Sequence, residues 1–172
     1  MDTYTRIFSQ SCFDVNNAIA KKYQSLNDKD FKAKTHLFNG RYENIYLDIN
    51  KIPELKIVFE QAMDNAASIL NIKKEQLTSG FWLNEMKAGD VTTAHTHDDD
   101  DELLSCVYYV LVPKKSGNLI IYDNKTKNII TPSEGEFVYF LPATLHEVSK
   151  NESESVRLSI AFNFGLKKSV LV

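Results

Sequence analysis

Between Phe13 and Leu26 the apolar positions Val15, Ala18, Ile19, Tyr23 and Leu26 recur at threes and fours, the spacing of one helix face. A second and stronger stripe starts near Pro53, a residue suited to a first helical turn, and carries Leu55, Val58, Phe59, Ala62, Ala66, Ile69 and Leu70. From Ser79 onward the period changes. Short β-rich runs follow one another, "GFWLNEM", "LLSCVYYVLV", "NLIIYD", "NIIT", "EFVYFL" and "VRLSIAFNF", and the polar separators "PKKSGN", "DNKTKN", "PSEGE" and "KNESES" carry turn residues. Many short strands without interleaved helices predict an antiparallel sandwich or barrel. The chain therefore reads as mainly β with N-terminal α-helices, with residues 1–78 a helical support region and 79–172 a β-barrel core of one single domain.

The last strand carries two chemically distinct faces. Alternation puts Val156, Leu158, Ile160, Phe162 and Phe164 on one side and Arg157, Ser159, Ala161 and Asn163 on the other. Either the polar face meets water, or the helices cover the apolar face and the polar one lines the barrel, where an arginine would need an anion. Alternation alone does not choose.

Composition narrows the classes. A chain of 172 residues, 43% hydrophobic, is long enough for one well-buried domain and short for two. A net charge of -3 from interspersed acids and bases leaves no basic face for a phosphate backbone, so nucleic acid is not an expected partner. The first residues lack a basic stretch followed by an apolar run, and no segment reaches the roughly 18 apolar residues of a membrane span. A cytoplasmic protein without a membrane partner is expected. Cys12 and Cys106 are isolated and read as reduced thiols, Cys106 as plain core.

The candidate chemistry sits in "AHTHDDDDE", Ala94 to Glu102, with two of the four histidines and a run of acids. Residues two apart on a strand point the same way, so His95 and His97 can share a metal ion. His146, after a strand and a short turn, offers a third imidazole from a distant strand, and such a set leaves open coordination positions. His36 belongs to no pattern and reads as structural. The acidic run reads as a solvated turn, or as a means of attracting a cationic substrate or helping to hold the metal.

Gly89, His95, His97 and Glu102 are spaced as in the first motif of the cupin superfamily, and Gly135, Pro142, His146 and Asn151 resemble a looser form of the second. Tyr109 stands where the first motif would end in Gly. A closer resemblance covers Phe81 to Gly165: "FWLNEMKAGDVTTAHTH", "LLSCVYYVLVPKKSGNLIIYD", "PSEGEFVYFLPATLHEV" and "VRLSIAFNFG" resemble small Fe(II)/2-oxoglutarate-dependent oxygenases of the prolyl hydroxylase-like class, with Cys106 replacing a Gly of their pattern. The resemblance implies a double-stranded β-helix, a jelly-roll or cupin-like barrel with metal at its mouth, and Fe(II), 2-oxoglutarate and O2 as cofactor and co-substrates. It implies that Arg157, eleven residues beyond His146, binds the far carboxylate of 2-oxoglutarate, as its guanidinium fork suits. Asn84, Tyr108, Ser159 and Asn163 are further candidate contacts to the co-substrate, and Trp82, Tyr108, Tyr109 and Phe140 candidate apolar walls. Three metal shells stay open: His95, His97 and His146, favoured by the Gly89-to-His95 spacing; His97 and Asp99 with His146, the usual two-histidine, one-carboxylate set; or a shell that includes Glu102. The implied activity is hydroxylation of a small-molecule or peptide substrate by a dioxygenase, with a homodimer conceivable. The rival readings are a cupin-type metal enzyme that uses no 2-oxoglutarate and a non-catalytic, metal-containing barrel that binds a small acid.

Overall fold

The structure, a computed structural model, describes residues 3–9, 12–97, 101–123 and 126–168. Its helices are α1 (Cys12–Ser25) and α2 (Leu55–Leu70), and its strands are β1 (Tyr4–Phe8), β2 (Phe31–Phe38), β3 (Arg41–Leu47), β4 (Leu77–Met86), β5 (Thr92–His95), β6 (Glu102–Leu111), β7 (Leu119–Asp123), β8 (Thr126–Ile130), β9 (Glu136–Phe140), β10 (His146–Val148) and β11 (Arg157–Leu166). The strands form a seven-stranded sheet in the order β1-β9-β6-β11-β4-β3-β2 and a four-stranded sheet in the order β5-β10-β7-β8. The pairing is antiparallel, and the two sheets make the walls of a double-stranded β-helix.

Both helices lie where their apolar stripes require. They cover the outer face of the large sheet, and Ile19, Tyr23, Leu55, Val58, Ala62 and Ala66 pack in one core with Leu83, Leu104, Cys106, Tyr108, Leu158, Ile160, Phe162 and Phe164. Full burial of a Leu, Ile or Phe side chain contributes about 1.5–3 kcal/mol. This packing decides between the two readings of the last strand: the apolar face of β11 meets the helices, and its polar face turns into the barrel. Polar pins fix α1 in place, because the Tyr108 hydroxyl donates to Asn16 Oδ1 at 2.7 Å and Asn16 Nδ2 donates to the Tyr109 carbonyl at 3.3 Å.

The N-terminal region is more than helical support. It adds β1 to one edge of the large sheet and the β2–β3 hairpin to the other. That hairpin turns at Asn39 and Gly40, both at positive φ (48° and 77°), the backbone of a tight turn whose twist matches its strands. No helix among the described residues is long and apolar enough to cross a membrane.

Candidate active site

Alternation along β11 sends Arg157, Ser159, Ala161 and Asn163 into a cavity of about 470 Å³ between the sheets. Their neighbours extend this inward row sideways. Asn84 and Trp82 of β4 stand opposite Ser159 and Ala161, and Tyr109, Val107 and Ser105 of β6 stand opposite Ser159, Ala161 and Asn163.

The small sheet supplies the facing wall and three imidazoles. His95, the last residue of β5, is the register partner of His146, the first of β10, so two residues distant in sequence are fixed side by side by a strand pair. His97 follows two positions on, and its backbone N–H donates to the Pro142 carbonyl at 2.8 Å, which ties it to the turn before His146. One ring nitrogen from each of His95, His97 and His146 lies within 4.8 Å of the others. His95 Nδ1 and His146 Nδ1 stand 2.7 and 2.9 Å from the carbonyls of Thr93 and Thr144. A carbonyl can only accept, so each Nδ1 carries the proton and each Nε2 presents a lone pair. Burial, followed by the neighbouring His95 and His97, lowers the His146 pKa to about 3, which keeps this imidazole neutral. Three imidazoles converging on one point suit a first-row divalent ion with coordination positions left open.

Deeper along the row, Arg157 is 1% exposed. Its Nη1 donates to the Gly117 and Ser116 carbonyls at 3.0 and 3.4 Å, and its guanidinium lies 5.1 Å from the Tyr109 ring centre. Its Nε and the Tyr109 hydroxyl are both buried without a hydrogen-bond partner. No carboxylate among the described residues pairs with it; Glu152 and Glu154, expected as partners if Arg157 lay at the surface, are exposed. Burial pulls the Arg157 pKa down, yet an arginine keeps its charge near neutrality. Burial pushes the Tyr109 phenol up, so it remains a neutral donor. A desolvated cation beside an unused hydroxyl donor is chemistry waiting for an acid.

The family model described as "Putative 2OG-Fe(II) oxygenase" matches residues 80–163, which hold the histidines, Arg157 and the whole inward row. Over these residues the chain is similar to the 2OG-Fe(II) oxygenases. The matched family comprises enzymes that use Fe(II), 2-oxoglutarate and O2, and the residues present here fit those groups. Solved structures show the same fold at low identity. A prolyl-4-hydroxylase from Pseudomonas putida is 16% identical, with 96% of this chain and 93% of that chain covered at a TM-score of 0.68. A prolyl hydroxylase from Trichoplax adhaerens, solved with a hypoxia inducible factor peptide fragment, is 14% identical, with 98% and 86% covered at 0.71. The carbocyclase SnoK from nogalamycin biosynthesis is 13% identical, with 94% and 79% covered at 0.75. The comparison with curated proteins gives no match.

The fold places the candidate residues unequally. Ser159 lies on the row beside Arg157, and Asn84 lines the cavity while its amide is held by Arg41 and the Glu43 carbonyl. Tyr108 requires a correction. It points outward to α1, and the inward neighbour of Arg157 is Tyr109, because β6 alternates and Tyr108 shares the face of Cys106. Asn163 also moves: six residues along β11 from Arg157, at about 3.3 Å each, it stands farther off than a five-carbon acid reaches. Glu102 lines the cavity but falls outside the histidine cluster, and Asp99 lies outside the described residues. His36, read as structural, stands on the cavity wall at a φ of 57°. Trp82, Tyr109 and Phe140 form the apolar walls that were expected.

Proposed function

We propose that this oxygenase holds Fe(II) through His95, His97 and His146, binds the far carboxylate of 2-oxoglutarate at Arg157, and hydroxylates a C–H bond of a small-molecule or peptide substrate. The observation that carries the reading is Arg157, a buried guanidinium with no carboxylate partner among the described residues, on the same cavity as the three converging imidazoles. When bound, the iron and 2-oxoglutarate supply the activation of O2, with the oxo acid giving up two electrons and leaving as succinate and CO2.

The protein's own part is binding, orientation and exclusion of water. The carbonyls of Thr93 and Thr144 fix two imidazole tautomers and so aim two Nε2 lone pairs inward. The Gly117 carbonyl holds one end of the guanidinium, which leaves Nε and its neighbouring edge to meet a carboxylate, with the Tyr109 hydroxyl as a second donor. Trp82, at 5.7 Å from His97, and Phe140, at 4.6 Å from His146, keep the reacting region apolar. A cupin-type enzyme without 2-oxoglutarate leaves Arg157 and Tyr109 without a role, and turnover of 2-oxoglutarate separates the oxygenase from a non-catalytic barrel that binds a small acid.

The test is the slow conversion of 2-oxoglutarate to succinate by purified protein with Fe(II), ascorbate and air, together with iron content. Wild type is expected to make succinate, and His146→Ala to lose both iron and turnover. Wild-type protein that carries iron yet neither binds nor converts 2-oxoglutarate would contradict the reading, and undiminished iron in His146→Ala would remove His146 from the shell.

A further inference from the structure

The inward row of β11 has two polar ends. Arg157 closes one, and Asn163 closes the other about 20 Å along the strand. Trp82, opposite Ala161 and in ring contact with His97, marks the level of the histidines between them. At the Asn163 end, Ser105 Oγ donates to Asn163 Oδ1 at 2.9 Å, which turns Asn163 Nδ2 toward Glu102 Oε1 at 3.5 Å. The other oxygen, Glu102 Oε2, is buried and accepts no hydrogen bond from the described residues.

The two glutamates that line this cavity differ in their partners. Glu43 has its own cation, Arg41 Nη2 at 2.9 Å, whereas no lysine or arginine among the described residues pairs with Glu102. A carboxylate oxygen withdrawn from water is unfavourable until a donor meets it, and one facing a cavity selects a ligand that brings that donor. Glu102 stands outside the histidine cluster, so a metal ion held there does not supply it.

We propose that Glu102 is the recognition residue for the substrate to be oxidised, and that this substrate presents an ammonium or guanidinium group to it. The inference rests on the reading above, which gives the Arg157 end to 2-oxoglutarate. The site is then ordered along one strand row, with acid recognition at Arg157, histidines at the level of Trp82, and cation recognition at Glu102 on the far side. A basic group seated at Glu102 sets the carbon to be oxidised a few bonds away, over the histidines.

The experiment is a binding titration of the full chain, metal-free and again with Fe(II) and 2-oxoglutarate under anaerobic conditions, using n-butylammonium and butylguanidinium as probes and n-butanol as the uncharged control. Glu102→Gln keeps the shape, removes the charge from a half-buried position and is expected to melt at or above the wild-type temperature. The expected result is that wild type binds the cations, that Glu102→Gln weakens them at least tenfold, and that n-butanol is unaffected. Free L-lysine against Nα-acetyl-lysine methylamide then separates a free amine from a basic peptide side chain, by which of the two binds more tightly. Equal cation affinity in wild type and Glu102→Gln overturns the proposal, as does n-butanol binding as tightly as the cations, or loss of iron in Glu102→Gln, which would make Glu102 a ligand. Failure of the 2-oxoglutarate reading shows separately, as a wild type that binds the cations but no 2-oxoglutarate.

Discussion

Two arginines approach the cavity, and they are solvated by the protein in opposite ways. Arg41, on β3, meets Glu43 at 2.9 Å and Asp90 at 3.6 Å, and donates further to the Val91 carbonyl and Thr92 Oγ1. Arg157, on β11, is more deeply buried and, among the described residues, meets carbonyls and a tyrosine ring. The first charge is satisfied within the fold and ties β3 to the segment before β5. The second is left for something that arrives. A buried ion pair whose partner is removed costs more than one that was never made, so the two arginines should answer mutation differently.

The largest separation is expected in ligand affinity. Arg157→Met should weaken 2-oxoglutarate by about 300-fold, or ~3.5 kcal/mol, while leaving the melting temperature unchanged or higher, since an unpaired buried charge is removed. Calorimetric titration and thermal melting on one sample check both halves. Arg41→Met should do the reverse, lowering the unfolding free energy by about 3 kcal/mol through a stranded Glu43, with 2-oxoglutarate affinity within a few-fold of wild type. Denaturant unfolding reads the first number; were the two variants alike in both assays, the contrast between the arginines would collapse.

A smaller change probes what aims Arg157. Gly117 has a φ of 96°, and an added Cβ would stand 2.3 Å from the Ser149 carbonyl oxygen and 3.4 Å from Arg157 Nη1. Gly117→Ala should therefore cost about 2 kcal/mol of stability and loosen 2-oxoglutarate binding with it, because the carbonyl that anchors the guanidinium moves. His146 offers the gentlest test, as a buried base that sheds its proton where Arg157 cannot. Its folded pKa, near 3, lies below the ordinary 6.5, so the unfolded chain binds the extra proton between those values. Metal-free protein should lose stability as pH falls through 6.5, by about 1.4 kcal/mol at pH 5.5 relative to about pH 8, and His146→Phe should flatten that slope.

Much of this was legible in the sequence because burial has a period. The two helices and the strands after Ser79 followed from spacing, and the pairing of Arg157 with the histidines followed from a motif. The helix-covered face of β11 was not legible, since an apolar row fits either side until something packs on it. The β2–β3 hairpin left a readable signal in Asn39-Gly40, whereas β5 and β10, of 4 and 3 residues, are too short to show alternation. Tyr108 and Tyr109 could have been assigned correctly: Cys106 read as core, and two residues on, Tyr108 had to share its face. The partners of Glu102 depend on Asn163 and Ser105 meeting across the β6–β11 pair, which no local pattern encodes.

The central claim is that three histidines and one unpaired arginine form a single chelate site for iron and 2-oxoglutarate. Its most direct measurement is an anaerobic titration of 2-oxoglutarate into the Fe(II)-loaded protein, followed by the visible charge-transfer absorption of a 2-oxo acid chelated to Fe(II). The account predicts a saturable band at one iron per chain, with a far weaker midpoint in Arg157→Met. Absence of the band in wild type, or superimposable titrations of the two proteins, would contradict it.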